Sequence, residues 1–407
     1  MQDGFDLPER APGMYRPVRS DRGVPFGKFY KPDPLPPDLA LSDTVLKHVE
    51  RAAHALGRLD GFRTQVDAAA TVFRPLLYKE AEQSSQVEGT QVTTTDMYRA
   101  TAAGDTAARS RDVQEALNYV EALREASTRL LAEGRSRENI TADLIKDLHE
   151  TVMETGYTDE DDPLPGQFRP DYAWIEESNE PWKQSVRFVP PKAAMVESMM
   201  ADLLSYVQSS SKYPAIVDVA LVHYQIETIH PFTDGNGRVG RLVALLLLVA
   251  CDLLTTPLFY MSAYIKENRE EYTDRLLAVS EDGAWEEWLQ FFITGMRDQA
   301  EEVLSRASLL HELHESYGAR YASGPQSVQR LLEVLFEQPY LTVPTAAERI
   351  DMSYPAANSA VEQLVEDDVL SQVDTKERNR EFVATQIMDI VERDAADLPT
   401  PSSVLRS

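Results

Sequence analysis

The sequence predicts a mostly helical protein of more than one domain, with one small β-hairpin and a C-terminal winged helix-turn-helix module. Three observations carry that expectation. At 407 residues the chain exceeds what one compact core normally organises. From Ser42 onward, apolar residues recur at three- and four-residue spacing through most of the chain. Strand-like composition is confined to residues 166–190 and to a short stretch near 371–385.

Taken in order, residues 1–40 are rich in Pro, Gly and Arg and end in "KPDPLPPDLAL", which reads as an extended arm. Helix begins with "LKHVERAAHALGRLDGF", where Gly57 and Gly61 are expected to loosen the end. Further helices are expected at about 75–87, 111–133 and 140–154. "GQFRPDYAWI" and "SVRFVPP" then form the only convincing hairpin, separated by the polar "EESNEPWKQ". Helix resumes at 192–208 and 214–229, where Pro214 suits a first turn. It continues at 237–250, 264–280 and 284–316. "GARYASGPQS" is a linker by composition. Beyond it, a helix at 327–336, "TVPTAAERI", a helix at 354–368, the wing "SQVDTKERNREFVAT" and a last helix at 386–393 give the winged layout.

Hydrophobic residues at 43% and charged residues at 26% describe an ordinary globular composition. The single Cys251 excludes an internal disulfide and fits a reducing cytoplasm. "MQDGFDLPERAPG" has no apolar run, so no secretory signal is expected. The longest apolar run, Leu242–Leu254, contains Asp252 and is too short to span a bilayer, so it reads as a buried helix. A formal charge of -27 repels nucleic acid and anionic membrane alike.

The chemistry concentrates in "HPFTDGNGRVGR", His230–Arg241. A Gly-rich turn entering a helix presents backbone N–H groups and the positive end of the helix dipole to an anion. Gly235 and Gly237 let the backbone approach phosphate oxygens closely, and Asn236 between them can donate to one. Arg238 and Arg241, one turn apart, can fork toward a phosphate tail. Asp234 offers one hard oxygen for Mg²⁺, which leans on waters and substrate phosphates. His230 stands before the turn, suited to accept a hydroxyl proton. The spacing is not that of a Walker loop.

The segment resembles the signature of Fic-domain proteins, H-x-F-x-[D/E]-G-N-G-R-x-x-R, at every specified position. "GKFYKPDPLPPDL", "LGRLDGF", "SAYIKENREEYTDRLLAV" and "WEEWLQFF" look like further parts of the family, so that about 350 residues have a counterpart. The resemblance implies a Fic-type helical core and transfer of AMP from ATP, with Mg²⁺, to a Tyr, Ser or Thr hydroxyl of a protein. That protein is another chain or this one. It implies His230 as general base, Asp234 at the metal, Gly235, Asn236 and Gly237 as the anion hole, and Arg238 and Arg241 on the outgoing pyrophosphate. It further implies purine contacts from Asn268 and Tyr272, a target-aligning flap at 166–190 with Trp174 and Ile175 in contact, and a homodimer.

"SSQVEG" at 84–89 resembles the family's inhibitory motif, [S/T]-x-x-x-E-[G/N]. The resemblance implies that Ser84, Glu88 and Gly89 form a brake. Glu88 would pair with Arg241 and take the guanidinium meant for the γ-phosphate. Removal of AMP, or transfer of a different group, stays open as an alternative on the same residues.

The expected division is an arm at 1–40, a helical region with the inhibitory helix at 41–110, a catalytic core at 111–316, a linker at 317–326, a winged module at 327–395 and a tail at 396–407. A DNA-binding regulator is a second reading of the winged module. Its recognition-helix candidate, however, carries Glu362, Glu366, Asp367 and Asp368 without Lys or Arg, and only Lys376, Arg378 and Arg380 in the wing are basic. Phosphate contacts normally need basic side chains, so nucleic acid is disfavoured and docking of protein is expected.

Overall fold

The computed structural model describes residues 7–17, 27–66, 69–102, 110–154, 164–176, 186–209, 211–373 and 380–399. Strands β1 (Gly13–Pro17) and β2 (Lys28–Pro32) precede helices α1 (Asp43–Gln65), α2 (Ala69–Val87), α3 (Thr94–Ala102), α4 (Arg111–Glu133) and α5 (Ala142–Val152). Strands β3 (Ile175–Glu176) and β4 (Val186–Phe188) follow. Then come α6 (Ala193–Gln208), α7 (Ala215–Ile229), α8 (Asn236–Ala250), α9 (Ser262–Glu267), α10 (Arg269–Asp282) and α11 (Trp285–Arg320). Next are α12 (Gln326–Glu337), β5 (Tyr340–Thr342), α13 (Val343–Arg349), α14 (Tyr354–Glu366), β6 (Ser371–Gln372), β7 (Glu381–Val383) and α15 (Thr385–Glu392).

Two compact units result. One comprises residues 1–57, 87–89 and 118–299, the other 58–86, 90–117 and 300–407. The first is built around α7 and α8, which pack against each other and are buried along nearly their whole length. Helices this apolar on every face belong in a core. α7 tolerates one carboxylate there, because buried Asp218 accepts from Arg137 at 2.8 Å, Tyr206 at 2.5 Å and Ser211 at 2.6 Å. α5 is amphipathic and starts on Thr141, whose hydroxyl accepts from Leu144 N–H at 3.2 Å. It packs its buried side, with Leu144, Leu148 and His149, toward α6 and α8.

In the second unit β5, β7 and β6 form an antiparallel sheet in the order β5-β7-β6, beside the packed set α12, α13 and α14. α3 docks on β5, and Gln338 Nε2 donates to the Tyr98 carbonyl at 2.8 Å. Buried Arg306 on α11 donates to the carbonyls of Ile390 at 2.8 Å and Val391 at 3.0 Å, tying α15 down.

Several expectations need correcting. The arm is not merely extended: β1 pairs with β2 in register Gly13 to Pro32, and Tyr15 meets Tyr30 edge to face at 5.6 Å. Cross-strand aromatic pairing outweighs the surrounding prolines. α1 runs through Gly57 and Gly61 to Gln65, since tertiary packing offsets the roughly 1 kcal/mol propensity cost of each glycine. α2 starts at Ala69, upstream of Pro75, which it carries inside. The helix expected at 264–280 breaks at Asn268 into α9 and α10. α11 continues into the expected linker as far as Arg320. α3 is an addition to the expected elements, yet its signal is legible as a capping box: Asp96 N–H donates to Thr93 Oγ1 and Thr93 N–H to Asp96 Oδ2, both at 3.1 Å. The polar turn of the 166–190 hairpin, the wing residues Lys376 and Arg378, and most of the tail lie outside the described residues.

Candidate active site

α7 ends at Ile229, and His230 takes over as its left-handed cap with φ 51° and ψ 63°. A side chain bearing Cβ rarely sits there, so the conformation must be held from outside. Arg169 holds it. Its Nε donates to the His230 carbonyl at 2.7 Å and its N–H to the Pro231 carbonyl at 2.9 Å. Its Nη1 reaches the Asp171 carbonyl at 2.7 Å and its Nη2 the Pro191 carbonyl. Burial lowers the Arg169 pKa to about 10, which leaves it charged at neutral pH.

The turn itself is clamped twice. Asn236 accepts from Phe232 N–H at 2.8 Å and donates to the Phe232 carbonyl at 2.9 Å, closing residues 232–236 into a ring. One amide N–H and the amide oxygen are thereby held by the backbone, which fixes the orientation of the side chain. Phe232, fully buried, stacks on His149 at 3.8 Å between centroids. Gly166 N–H donates to His149 Nδ1 at 3.0 Å, so Nε2 carries the proton and donates to the Asp234 carbonyl at 3.1 Å. Burial lowers the His149 pKa to about 4, keeping this tautomer neutral.

Gly235 follows with φ +75°, where a Cβ would lie 2.7 Å from Met153 Sδ. The first backbone bond of α8 is Val239 N–H to the Gly235 carbonyl at 3.0 Å, so the Asn236 and Gly237 amides precede the helical ladder. Arg238 and Arg241 are both buried. Asp234 is the exception, with its side chain 57% exposed. Its Oδ1 accepts from Gly235 N–H at 2.6 Å and lies 3.7 Å from Arg238.

The turn opens onto a cavity of about 510 Å³, lined by His230, Gly237, Arg241 and Glu88 at one side and by Tyr272, Leu276 and Leu277 of α10 at another. This is the size expected of a small-ligand site. Ile175, Glu176, Arg187 and Phe188 of the β3–β4 ladder also line it. Ile175 pairs with Phe188, with a register irregularity at the next residue. Trp174 does not line the cavity and is 48% exposed.

Glu88 sits just past α2 and its Oε1 accepts from Arg241 Nη2 at 2.8 Å. Burial opposes its charge, but the Arg241 attraction and hydrogen bond, with Arg238 and Arg269 beyond, more than reverse this and hold its pKa below the usual value. Gly237 makes room for the pair: a Cβ there would overlap Glu88 Oε1 and come within 2.9 Å of Arg241 Nη1. Gly89, with φ +100°, turns the chain away. Ser84 lies one turn earlier, fully buried on α2. His230 is buried, and burial, with the nearby Arg169 charge, lowers its pKa to about 4, against the opposing effects of Glu88, the Glu227 backbone and Asp234.

Of the two purine candidates, only Tyr272 lines the cavity. Its hydroxyl pairs with His223 Nε2 at 2.8 Å. Asn268 instead donates to the Tyr264 carbonyl at 2.9 Å, at the break between α9 and α10. Sequence reasoning missed Arg169 and His149. Neither stands in a motif, and both act on a turn more than sixty residues downstream.

Among the described residues no helix is long and apolar enough to cross a membrane. Residues 46–128 match the family described as Fic/DOC family N-terminal, and residues 139–248 match the Fic/DOC family. The chain is 29% identical over 93 residues to a probable protein adenylyltransferase of Aquifex aeolicus. It is 27% identical over 142 residues to the protein adenylyltransferase fic-1 of Caenorhabditis elegans. It is 31% identical over 134 residues to the protein adenylyltransferase Fic of Nematostella vectensis. These alignments cover 23%, 34% and 32% of the chain and only 29%, 25% and 27% of those proteins. A Fic family protein from Desulfovibrio desulfuricans superposes over 86% of this chain and 98% of its own, at TM-score 0.53 and 18% identity. A Fic-domain signalling protein from Bacteroides thetaiotaomicron superposes over 66% and 97%, at TM-score 0.51 and 15% identity. Residues 139–248, which contain the motif, thus carry a Fic/DOC family domain, residues 46–128 carry the family's N-terminal domain, and the fold is that of the superposed Fic proteins.

Proposed function

We propose that the chain is a protein adenylyltransferase held in check by its own Glu88. The observation that carries the reading is the 2.8 Å ion pair between Glu88 and Arg241, set in the cavity that His230 also lines. ATP enters with its phosphates on the α8 N-terminus, where the Asn236 and Gly237 amides and the two arginines meet negative charge. A Tyr, Ser or Thr hydroxyl of a target protein, or of this chain, approaches beside the β3–β4 ladder by strand addition. Its oxygen attacks the α-phosphorus while the bond to the β-phosphate oxygen breaks. His230, neutral at physiological pH, takes the hydroxyl proton, and pyrophosphate leaves against Arg238 and Arg241. Glu88 on Arg241 blocks the last of these positions.

The donor set fits Mg²⁺. Asp234 supplies one exposed hard oxygen at the turn, and no described group of three or more His, Cys, Asp or Glu residues forms a self-sufficient cage. An ion that leans on phosphate oxygens and water asks for that. When bound it neutralises charge on the phosphates.

The test is intact-mass measurement after incubation with MgATP, for wild type, Glu88→Gly, and Glu88→Gly with His230→Ala. One AMP gained on the Glu88→Gly protein and lost with His230→Ala is expected. ATP bound but never transferred, with AMP removed from a modified protein instead, would reverse the assigned direction.

We further propose that residues 326–392 form a winged-helix module that docks protein rather than DNA. On α14, Asn358 takes the one described basic wing residue, accepting from Arg380 at 3.0 Å, and Arg380 also lies over Phe382. A salt-dependent shift of duplex DNA in a gel would refute this.

A further inference from the structure

One carboxyl in the cavity has no part in the proposed reaction. Glu227 lies on α7 one turn before His230 and lines the same cavity as Arg241 and Glu88. Its side chain is 12% exposed, and Oε1 is buried with no hydrogen-bond partner among the described residues. The place is built for it. Gly240 on α8 lacks the Cβ that would overlap Oε1, just as Gly237 makes room for Glu88. Two carboxyls thus occupy glycine notches at positions 237 and 240 of one helix, beside Arg241.

The neighbours do not neutralise Glu227 by hydrogen bonding. His223 approaches within 3.9 Å, but its Nδ1–H is directed to the Gly240 carbonyl at 3.3 Å, so Nε2 accepts the Tyr272 O–H at 2.8 Å. Burial lowers the His223 pKa to about 3, so it brings no charge. His230 at the end of α7 is neutral as well. The charges that bear on Glu227 are Arg241, which favours its ionisation, and Glu88, which opposes it. Arg269, on α10, also lines the cavity. Burial, the largest influence, raises the Glu227 pKa to about 7.

We propose that Glu227 is a further residue of the nucleotide site, its charge setting how strongly the cavity holds a polyphosphate. This rests on the reading of the cavity as an ATP site. As the neutral acid Glu227 tolerates phosphates nearby and can donate a hydrogen bond. As the carboxylate it repels them and competes for Arg241. A bound polyphosphate adds negative charge beside it and so favours the neutral form. Above about pH 7, binding therefore takes up a proton, and affinity falls as pH rises; below that, Glu227 is already neutral and the dependence vanishes.

The test is calorimetric titration of MgATP from pH 6 to 8.5 into the full chain carrying Glu88→Gly and His230→Ala, with and without Glu227→Gln. These substitutions remove the competing carboxylate, turnover and the His230 proton. The two Kd values should agree at pH 6 and diverge above pH 7, the Gln protein binding tighter, toward a limit of about tenfold per pH unit. The Glu227 protein should take up close to one proton per nucleotide at pH 8, read from two buffers of different ionisation enthalpy. That reading stands without the Gln variant. A Kd ratio that does not change with pH, or no proton uptake at pH 8, would overturn the proposal while leaving the ATP site intact. Absence of MgATP binding at every pH in both proteins would overturn the ATP reading itself.

Discussion

Replacing Glu88 by Gly should make the empty protein less stable and leave the nucleotide-bound protein about as stable as before. The pair spans 2.8 Å, with the Arg241 side chain 2% exposed and that of Glu88 34% exposed. Two unit charges at about 4 Å attract by roughly 4 kcal/mol at an effective dielectric near 20. The partial exposure of Glu88 screens that attraction, and loss of its side chain would admit water to the stranded guanidinium. The net cost is about 2 kcal/mol. The site-bearing unit should then melt about 4–8 °C lower without ligand. The same 2 kcal/mol no longer opposes a γ-phosphate at Arg241, so MgATP should bind roughly 30-fold tighter. Differential scanning fluorimetry without MgATP reads the loss, titration calorimetry reads the tighter binding, and the melting gap should close at saturating MgATP. Because Glu88 is held below its usual carboxyl pKa, its contribution is complete above the unfolded value of about 4.5 and is lost as pH falls through the folded value. The gap in melting temperature between the two proteins should therefore close in acid. Equal melting temperatures and equal MgATP affinity would refute the argument.

Two other expectations concern the proposed base and its support. The His230 imidazole, with its pKa lowered to about 4, should remain neutral down to about pH 5 in the empty protein. Its neutral burial contributes stability above pH 6.5, lost as pH falls toward 4; ¹³C NMR of the imidazole carbons checks this, and a midpoint near 6.5 would contradict it. Arg169→Lys replaces a fork serving several carbonyls with one ammonium. In the Glu88→Gly protein it should cut AMP transfer at least tenfold by freeing the His230 backbone, with the MgATP Kd within about threefold. Equal losses in both would mean the residue only supports the fold.

The parts of the site that were legible from the residue types alone share one property: they are contiguous. His230 through Arg241 form a helix end, a turn and a helix start, so local spacing already places the amides and both arginines together. Glu88 and Tyr272 were singled out by the resemblance, while local signals also located the two buried helices. They failed where a pattern was ambiguous at short range, as with Asn268, which reads as a helix-face residue and serves as the break between two helices.

By itself the sequence determined a helical, acidic chain with a Gly-rich turn suited to an anion, because those properties depend on composition, periodicity and neighbours a few residues apart, and the motif in that turn carried the resemblance to Fic-domain proteins. Only the tertiary structure decided what holds and tunes that turn. Arg169 and His149 reach it from 61 and 85 residues away, and Asn236 turns its amide inward, whereas the Glu88–Arg241 pair across 153 residues was implied by the resemblance. Glu227 is one helical turn from His230, yet its significance lies in the loss of water and, among the described residues, of any hydrogen-bond partner for Oε1. Desolvation and long-range pairing are properties of the packed volume around a residue, and no local pattern of residue types specifies them.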